Sequence, residues 1–285
     1  MPSETFIFSS NPDNGATDIT NNGSKFSVQF VNPLFLPANA YNAKLEVIQA
    51  NIWNMSPNVS QALGNNTFTI TDKDGAVTNK HTVVLADGLY DIDSIYDSLA
   101  YAFDNLPTNR PRYPFKDYFL IDGNQAINRL FITFRNNTAT SGNEVNIIWE
   151  ESSLRTLLGF DENSPTKPSQ PSNASHEYSL VAPNASLFNN YNSFMIHTDL
   201  VSQGIQLNNL FDNVVAQIQI TEDPGGLERF RAVSPNMFAI VNNLIGSQNA
   251  RYRATFWLTS ETGVALDMRG EYYDFCILIS WLESE

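Results

Sequence analysis

The chain has 285 residues, a formal charge of −14, 42% hydrophobic and 12% aromatic residues, and a single cysteine, Cys276. A chain of this length buries a core without disulfides or metals, and one cysteine excludes an intramolecular disulfide framework. With 30 acids against 16 bases and no Lys/Arg cluster, a large role in neutralising nucleic-acid phosphates is excluded.

The amino terminus, MPSETFIFSSNPDNG, has no basic start followed by an apolar run. No stretch reaches the roughly 20 apolar residues of a membrane helix, so the reading is a soluble chain with no secretory signal. The first predicted strand is KFSVQFV, with Phe26, Val28 and Phe30 on one face. After the proline-bearing NPLFLPANAYN comes a second strand, AKLEVIQANIW. NTFTITDKDGAVTNKHTVVL reads as a hairpin turning at Asp74-Gly75. In ADGLYDIDSIYDSLAYAFDNL, residues Ile92, Ile95, Tyr96, Leu99 and Phe103 recur at helical spacing, with Asp91 or Asp93 placed to cap the start. NRLFITFR and EVNIIW are two further strands. SSLRTLLGF is a short apolar helix ending at Gly159, where glycine suits a helix C-cap, and DENSPTKPSQPSNASH is a loop or linker.

Five more strands follow: NSFMIHTDL, NVVAQIQIT, NMFAIVNN, RYRATFWLTS and EYYDFCILISW, with DPGGLE as a turn between strands. The last two read as a closing hairpin turning at SETG, where Gly263 takes a positive φ at no steric cost. In its first arm Tyr252, Ala254, Phe256 and Leu258 share one face, and Arg251, Arg253 and Thr255 the other. In its last arm Tyr273, Phe275, Ile277, Ile279 and Trp281 form one face, while Cys276, Leu278 and Leu282 make the other apolar as well. Such a strand belongs in the middle of a sheet, covered on both sides. The predicted fold is therefore mainly β, an antiparallel sandwich or barrel, with an α/β module of about 110 residues inserted between the first strands and the rest.

Motifs for chemistry are absent from the sequence. His81, His176 and His197 are far apart and form no HxH, HxxxH or HExxH spacing. Asp72, Asp74 and Gly75 start like a calcium loop but lack its distal glutamate, so a plain turn is the reading. Glu150 and Glu151, and the Asp267/Glu271 pair, are read as solvated acids. No GxSxG, P-loop or GxGxxG is present, and the Asn-x-Ser/Thr triplets at Asn58, Asn173 and Asn184 are expected by chance in a chain this rich in Asn. No catalytic, cofactor-binding or metal-ligating residue is predicted, and the chain reads as a non-enzyme suited to assembly.

Four stretches in this order resemble the minor capsid, or penton, proteins of virophages and of the related Maverick/Polinton and adintovirus-like elements. They are KFSVQFVNPLFLPANAYNAKLEVIQANIWNMSPN, VVLADGLYDIDSIYDSLAYAF with its Gly88-x-Tyr, LRTLLGF, and LTSETGVALDMRGEYYDFCILI with Gly263 and Gly270 at its turns. The resemblance implies a single jelly-roll of two four-stranded sheets that forms a ring of five at icosahedral vertices, beside trimers of a double jelly-roll major capsid protein. It also implies that residues 1–61 and 186–285 build the jelly-roll, that an α/β or β-rich insertion domain at 62–185 projects outward and can touch a host receptor or glycan, and that the last strand lies beside KFSVQFV. Arg251 and Arg253 become candidates for pairing with acids on a neighbouring subunit. The rival readings are a carbohydrate- or receptor-binding β-sandwich without catalysis, a glycoside hydrolase on a jelly-roll with two facing carboxylates, and a single jelly-roll major capsid protein.

Overall fold

A computed structural model describes residues 1–74, 76–108, 113–124, 129–135, 144–168, 178–188, 191–207, 210–211, 213–222, 225–233 and 237–285. The chain begins with four strands, β1 (Ser3–Ser9), β2 (Ala16–Thr20), β3 (Lys25–Leu34) and β4 (Ala40–Trp53). It then runs through β5 (Thr67–Asp74), β6 (Val77–Val84), helices α1 (Ile92–Asp104) and α2 (Phe115–Tyr118), β7 (Phe119–Asn124), β8 (Arg129–Phe134), β9 (Glu144–Ile147) and β10 (Tyr178–Val181). It closes with β11 (Ser193–Thr198), the two-residue strands β12 (Gln206–Leu207) and β13 (Leu210–Phe211), β14 (Val214–Gln219), β15 (Leu227–Arg231), β16 (Ala239–Ile240), β17 (Arg251–Ser260) and β18 (Asp274–Glu283). These elements form two compact units, Met1–Ser56 with Tyr191–Glu285, and Pro57–Asn190. No helix of the described residues is long and apolar enough to cross a membrane.

The first unit is a sandwich of two antiparallel sheets, ordered β1-β18-β4-β15 and β14-β11-β17-β3-β2, with β16 also paired to β4. With β1, β3, β4, β11, β14, β15, β17 and β18 lettered B to I, the sheets read B-I-D-G and C-H-E-F, which is the jelly-roll arrangement. The predicted fold class therefore holds. Each sheet has four principal strands, and β2 and β16 add a fifth to each.

The inner faces supply one core. Phe8, Phe26, Phe256, Tyr273 and Phe275 form its centre, with Phe8 and Phe256 ring centroids 4.5 Å apart and Phe256 and Phe275 5.1 Å apart. Burying such side chains contributes about 1.5–3 kcal/mol each. The five inner residues predicted for the last strand, Tyr273, Phe275, Ile277, Ile279 and Trp281, are all buried, and β18 is central in its sheet. Its other face is only half covered, since Cys276, Leu278 and Leu282 are intermediate in exposure.

Several sequence expectations are corrected here. The last strand does not lie beside KFSVQFV: β18 pairs with β1 and β4, and β3 pairs with β17 in the opposite sheet. The unpredicted neighbour is β1, where Phe6 and Phe8 face Ile277 and Phe275. The closing pair is also no hairpin, because β17 and β18 belong to different sheets. The connector turns at Gly263, then buries Leu266 and Met268 at 1% exposure each, which anchors its passage from sheet to sheet. Tyr252 is not buried with the apolar face of β17: it stands where the register shifts between Arg251 and Arg253, opposite a bulge of extra residues in β3, and is 63% exposed. NMFAIVNN contributes only the two residues of β16, and the last residues of DPGGLE, Leu227 and Glu228, begin a strand.

The second unit holds two three-stranded antiparallel sheets, β6-β5-β9 and β10-β8-β7, over a separate core that includes Phe68, Phe103, Phe115, Phe119 and Trp149. Helix α1 buries Ile95, Leu99, Ala100 and Phe103 against it. Asp91, not Asp93, caps that helix: its carboxylate accepts the Ser94 N–H at 2.7 Å while the Ser94 hydroxyl accepts the Asp91 N–H at 2.8 Å. The short helix of SSLRTLLGF is a 3-10 turn, Ser153–Arg155, followed by the Leu158 N–H on the Leu154 carbonyl at 3.0 Å. It is closed by Phe160 N–H on the Arg155 carbonyl at 2.7 Å and Gly159 N–H on the Thr156 carbonyl at 3.1 Å, the bonds of a Schellman motif. β5 and β6 pair antiparallel, and the turn residue Gly75 lies outside the described residues, as do Asn173, His176 and much of the predicted linker.

Candidate functional site

The residues singled out in the sequence fall into turns, a surface arginine pair and buried polar positions. Gly159, Gly263 and Gly270 have φ of +82°, +82° and +88°, a region that favours glycine. Gly88 is held otherwise: it pairs with Val59, and a Cβ there would meet the Tyr90 ring at 2.6 Å. Nearby Asn58 is 1% exposed, accepts the Tyr90 N–H at 2.8 Å, and donates to the Tyr90 and Phe188 carbonyls at 2.6 and 2.7 Å. It is a strut of the fold and is closed to glycosylation.

Of the histidines, His197 belongs to the first unit and His81 to the second. His197 is buried, stacked on Trp257 at 5.1 Å, with Nε2 2.8 Å from the Thr259 hydroxyl. His81 is buried in the second unit with Nε2 3.9 Å from Asp72 Oδ2, and the same oxygen accepts the Tyr118 hydroxyl at 2.8 Å. Burial, and then that bond to Asp72, push the Tyr118 hydroxyl well above its usual range. Among the described residues no group of three or more His, Cys, Asp or Glu could hold a metal ion. Of the paired acids, Glu151 bridges to Lys80, and Asp267 accepts the Arg269 N–H at 2.9 Å.

The two arginines differ. Arg253 is engaged within its own chain, with Nη2 2.6 Å from Asp18 Oδ2 and 2.8 Å from Ser27 Oγ. Arg251 is exposed and forms no ion pair among the described residues. It borders an apolar patch that the sequence pattern does not reveal. Arg251 pairs with Leu34 and Arg253 with Gln29, so Tyr252 lies across from the bulged stretch of β3 that holds Val31. Val31 is 98% exposed and Phe35, just past the strand, is 44% exposed. Only the position of the bulge could have given this away, and bulges carry no fixed sequence signal.

Sheet order and connections thus define a single jelly-roll with a second folded unit inserted between its third and fourth principal strands, β4 and β11. A crystal structure of the mavirus penton protein has this fold, with a TM-score of 0.52 at 11% identity, covering 99% of this chain and 100% of that one. A chain of the Sputnik virophage, from cryo-EM, aligns with a TM-score of 0.49 at 13% identity over 98% of each chain. No protein-family model and no curated protein matches.

Proposed function

We propose that this chain is a structural capsid protein of a virophage-like virus, five copies of which form the capsomer at each icosahedral vertex, beside trimers of a double jelly-roll major capsid protein. The observation that carries the reading is that jelly-roll and insertion together match the mavirus penton protein over the whole length of both chains. In this reading the protein resides in the virion, acts without catalysis, and offers its 57–190 unit to the outside, toward a host receptor or glycan.

A ring of five needs a heterologous interface, one flank of each copy fitting a different flank of the next. The patch of Val31, Phe35 and Tyr252, with Arg251 at its border, supports a place on one such flank. It is apolar, it lies beside an uncommitted cation, and the chain as a whole is acidic. Light scattering tests the reading. A species of five times the 31.9 kDa chain mass, alone or on adding purified major capsid protein, is the expected result. The double variant Val31→Ser, Tyr252→Ser removes only exposed apolar groups and is expected to stay folded yet lose the ring. A chain that remains monomeric with its partner present and binds glycans instead would move the assignment to a recognition module.

A further inference from the structure

In the second unit, Leu63, Leu157 and Leu187 wall a cavity of about 360 Å³. Leu63 and Leu187 are 41% and 52% exposed, so two large aliphatic side chains stand at an opening where burial would be the norm. Two other lining residues, Ser153 and Asn65, have their polar groups occupied. The Ser153 hydroxyl accepts the Thr67 N–H at 2.9 Å, and the Asn65 amide serves the Asn58 carbonyl at 2.7 Å and the Ser60 N–H at 2.9 Å.

Arg155, which also lines the cavity, is different. Its Nη1 donates to the carbonyls of Trp149, Glu150 and Ser152 at 3.0, 3.3 and 3.3 Å, while Nε and Nη2 have no partner among the described residues. Three carbonyls on one nitrogen fix the guanidinium in place and leave the rest of its fork open. Among the described residues no Asp or Glu lines the cavity, although the chain carries 30 of them.

We propose that this cavity binds a small carboxylate with an aliphatic body. The open side of a planar guanidinium matches the two oxygens of a carboxylate, and a fork already held in position loses little freedom on binding. One cation balances one negative charge, so a doubly charged phosphate would leave uncompensated charge inside an acidic protein. The leucine walls take an aliphatic chain, and the volume lies at the small end of ligand cavities. The proposal goes beyond the capsid reading and holds whether or not the chain forms a ring.

The test is titration of the full chain with hexanoate, followed by NMR or calorimetry, against hexanamide and hexylamine. Saturable hexanoate binding in the millimolar range is expected, with the neutral amide weaker by at least about tenfold and the amine silent. Leu187→Glu changes a half-exposed residue, so the fold persists, and places a repelling charge at the rim; it should abolish hexanoate binding. Arg155→Lys, checked for an unchanged melting profile, should weaken it about tenfold, because a point charge cannot replace the fork. Equal binding of hexanoate and hexanamide, no saturation by hexanoate, or full binding by Leu187→Glu would each overturn the proposal.

Discussion

Gly159 and Gly263 share a φ of +82°, and alanine at each separates backbone strain from crowding. At either position the left-handed backbone costs an L-residue about 1–2 kcal/mol, offset by about 0.4–1 kcal/mol because alanine restricts the unfolded chain. At Gly263 a Cβ meets nothing within 4 Å, so Gly263→Ala should destabilise the jelly-roll by only about 0.5–1 kcal/mol. At Gly159 the same Cβ lands 2.5 Å from the Asn184 carbonyl oxygen and 3.2 Å from both Ala182 Cβ and the Ala185 carbonyl oxygen. That segment cannot easily retreat, since Asn184 donates its N–H to the Gly159 carbonyl at 3.0 Å and Leu187 to that of Leu157 at 2.9 Å. Overpacking of this kind adds about 1–3 kcal/mol, for a total of roughly 2–4 kcal/mol. Hydrogen exchange by mass spectrometry in rising urea reads the two units separately, on peptides from β17 and β18 for Gly263→Ala and from β5, β7 and β8 for Gly159→Ala. If the two losses agree within about 0.5 kcal/mol, crowding at Gly159 is not what the geometry implies and the reasoning fails.

The jelly-roll core yields two further expectations. Phe256→Ala empties the middle of the aromatic cluster, and urea denaturation should show a loss of about 3–5 kcal/mol. Tyr273→Phe removes a buried hydroxyl that donates to the Ser24 carbonyl at 2.8 Å. Because that carbonyl also accepts the Leu258 N–H at 2.9 Å, it is not orphaned, and the same assay should show a loss of only about 1 kcal/mol. Acid titration probes Glu261. Burial works against its ionised form, but the N–H groups of Asn192 and Ser193, its own N–H and the Asn192 amide outweigh that and hold its pKa below the usual value of 4.5. A depressed folded pKa means that its contribution is present above the unfolded pKa and is lost as the pH falls through the folded one. Below pH 4.5 the urea midpoint of the wild type should therefore fall more steeply than that of Glu261→Gln, and parallel curves would show that the carboxylate contributes nothing.

Local pattern was a good guide wherever one element settles the matter by itself. The apolar spacing from Ile92 to Phe103 and an adjacent aspartate are enough for α1, because helix bonds are local, although the choice between Asp91 and Asp93 rests on where the Ser94 hydroxyl lies. In SSLRTLLGF the leucines mark a short helix and the Schellman closure at Gly159 ends it, while its 3-10 form is not carried by the apolar pattern. The surface patch and the cavity were not legible. Tyr252 continues the alternation of Ala254, Phe256 and Leu258, yet it lies opposite the bulge in β3 and is exposed. Arg155 looks like any helix arginine until its three carbonyl partners and the nearby leucines are brought together.

The amino-acid sequence by itself determined that the protein is mainly β, that an extra segment interrupts the sandwich, and that the last strand, apolar on both faces, sits inside a sheet. All three follow from side-chain period and composition, which each stretch carries alone. Tertiary structure alone decided the pairing: β18 between β1 and β4, β3 beside β17, and a connector that crosses from one sheet to the other. Ladder bonds join backbone groups common to every residue, so an alternating strand states which face it buries without naming its neighbour. That choice was made by the shape of the shared core, where Phe8 reaches Phe256 across the sandwich.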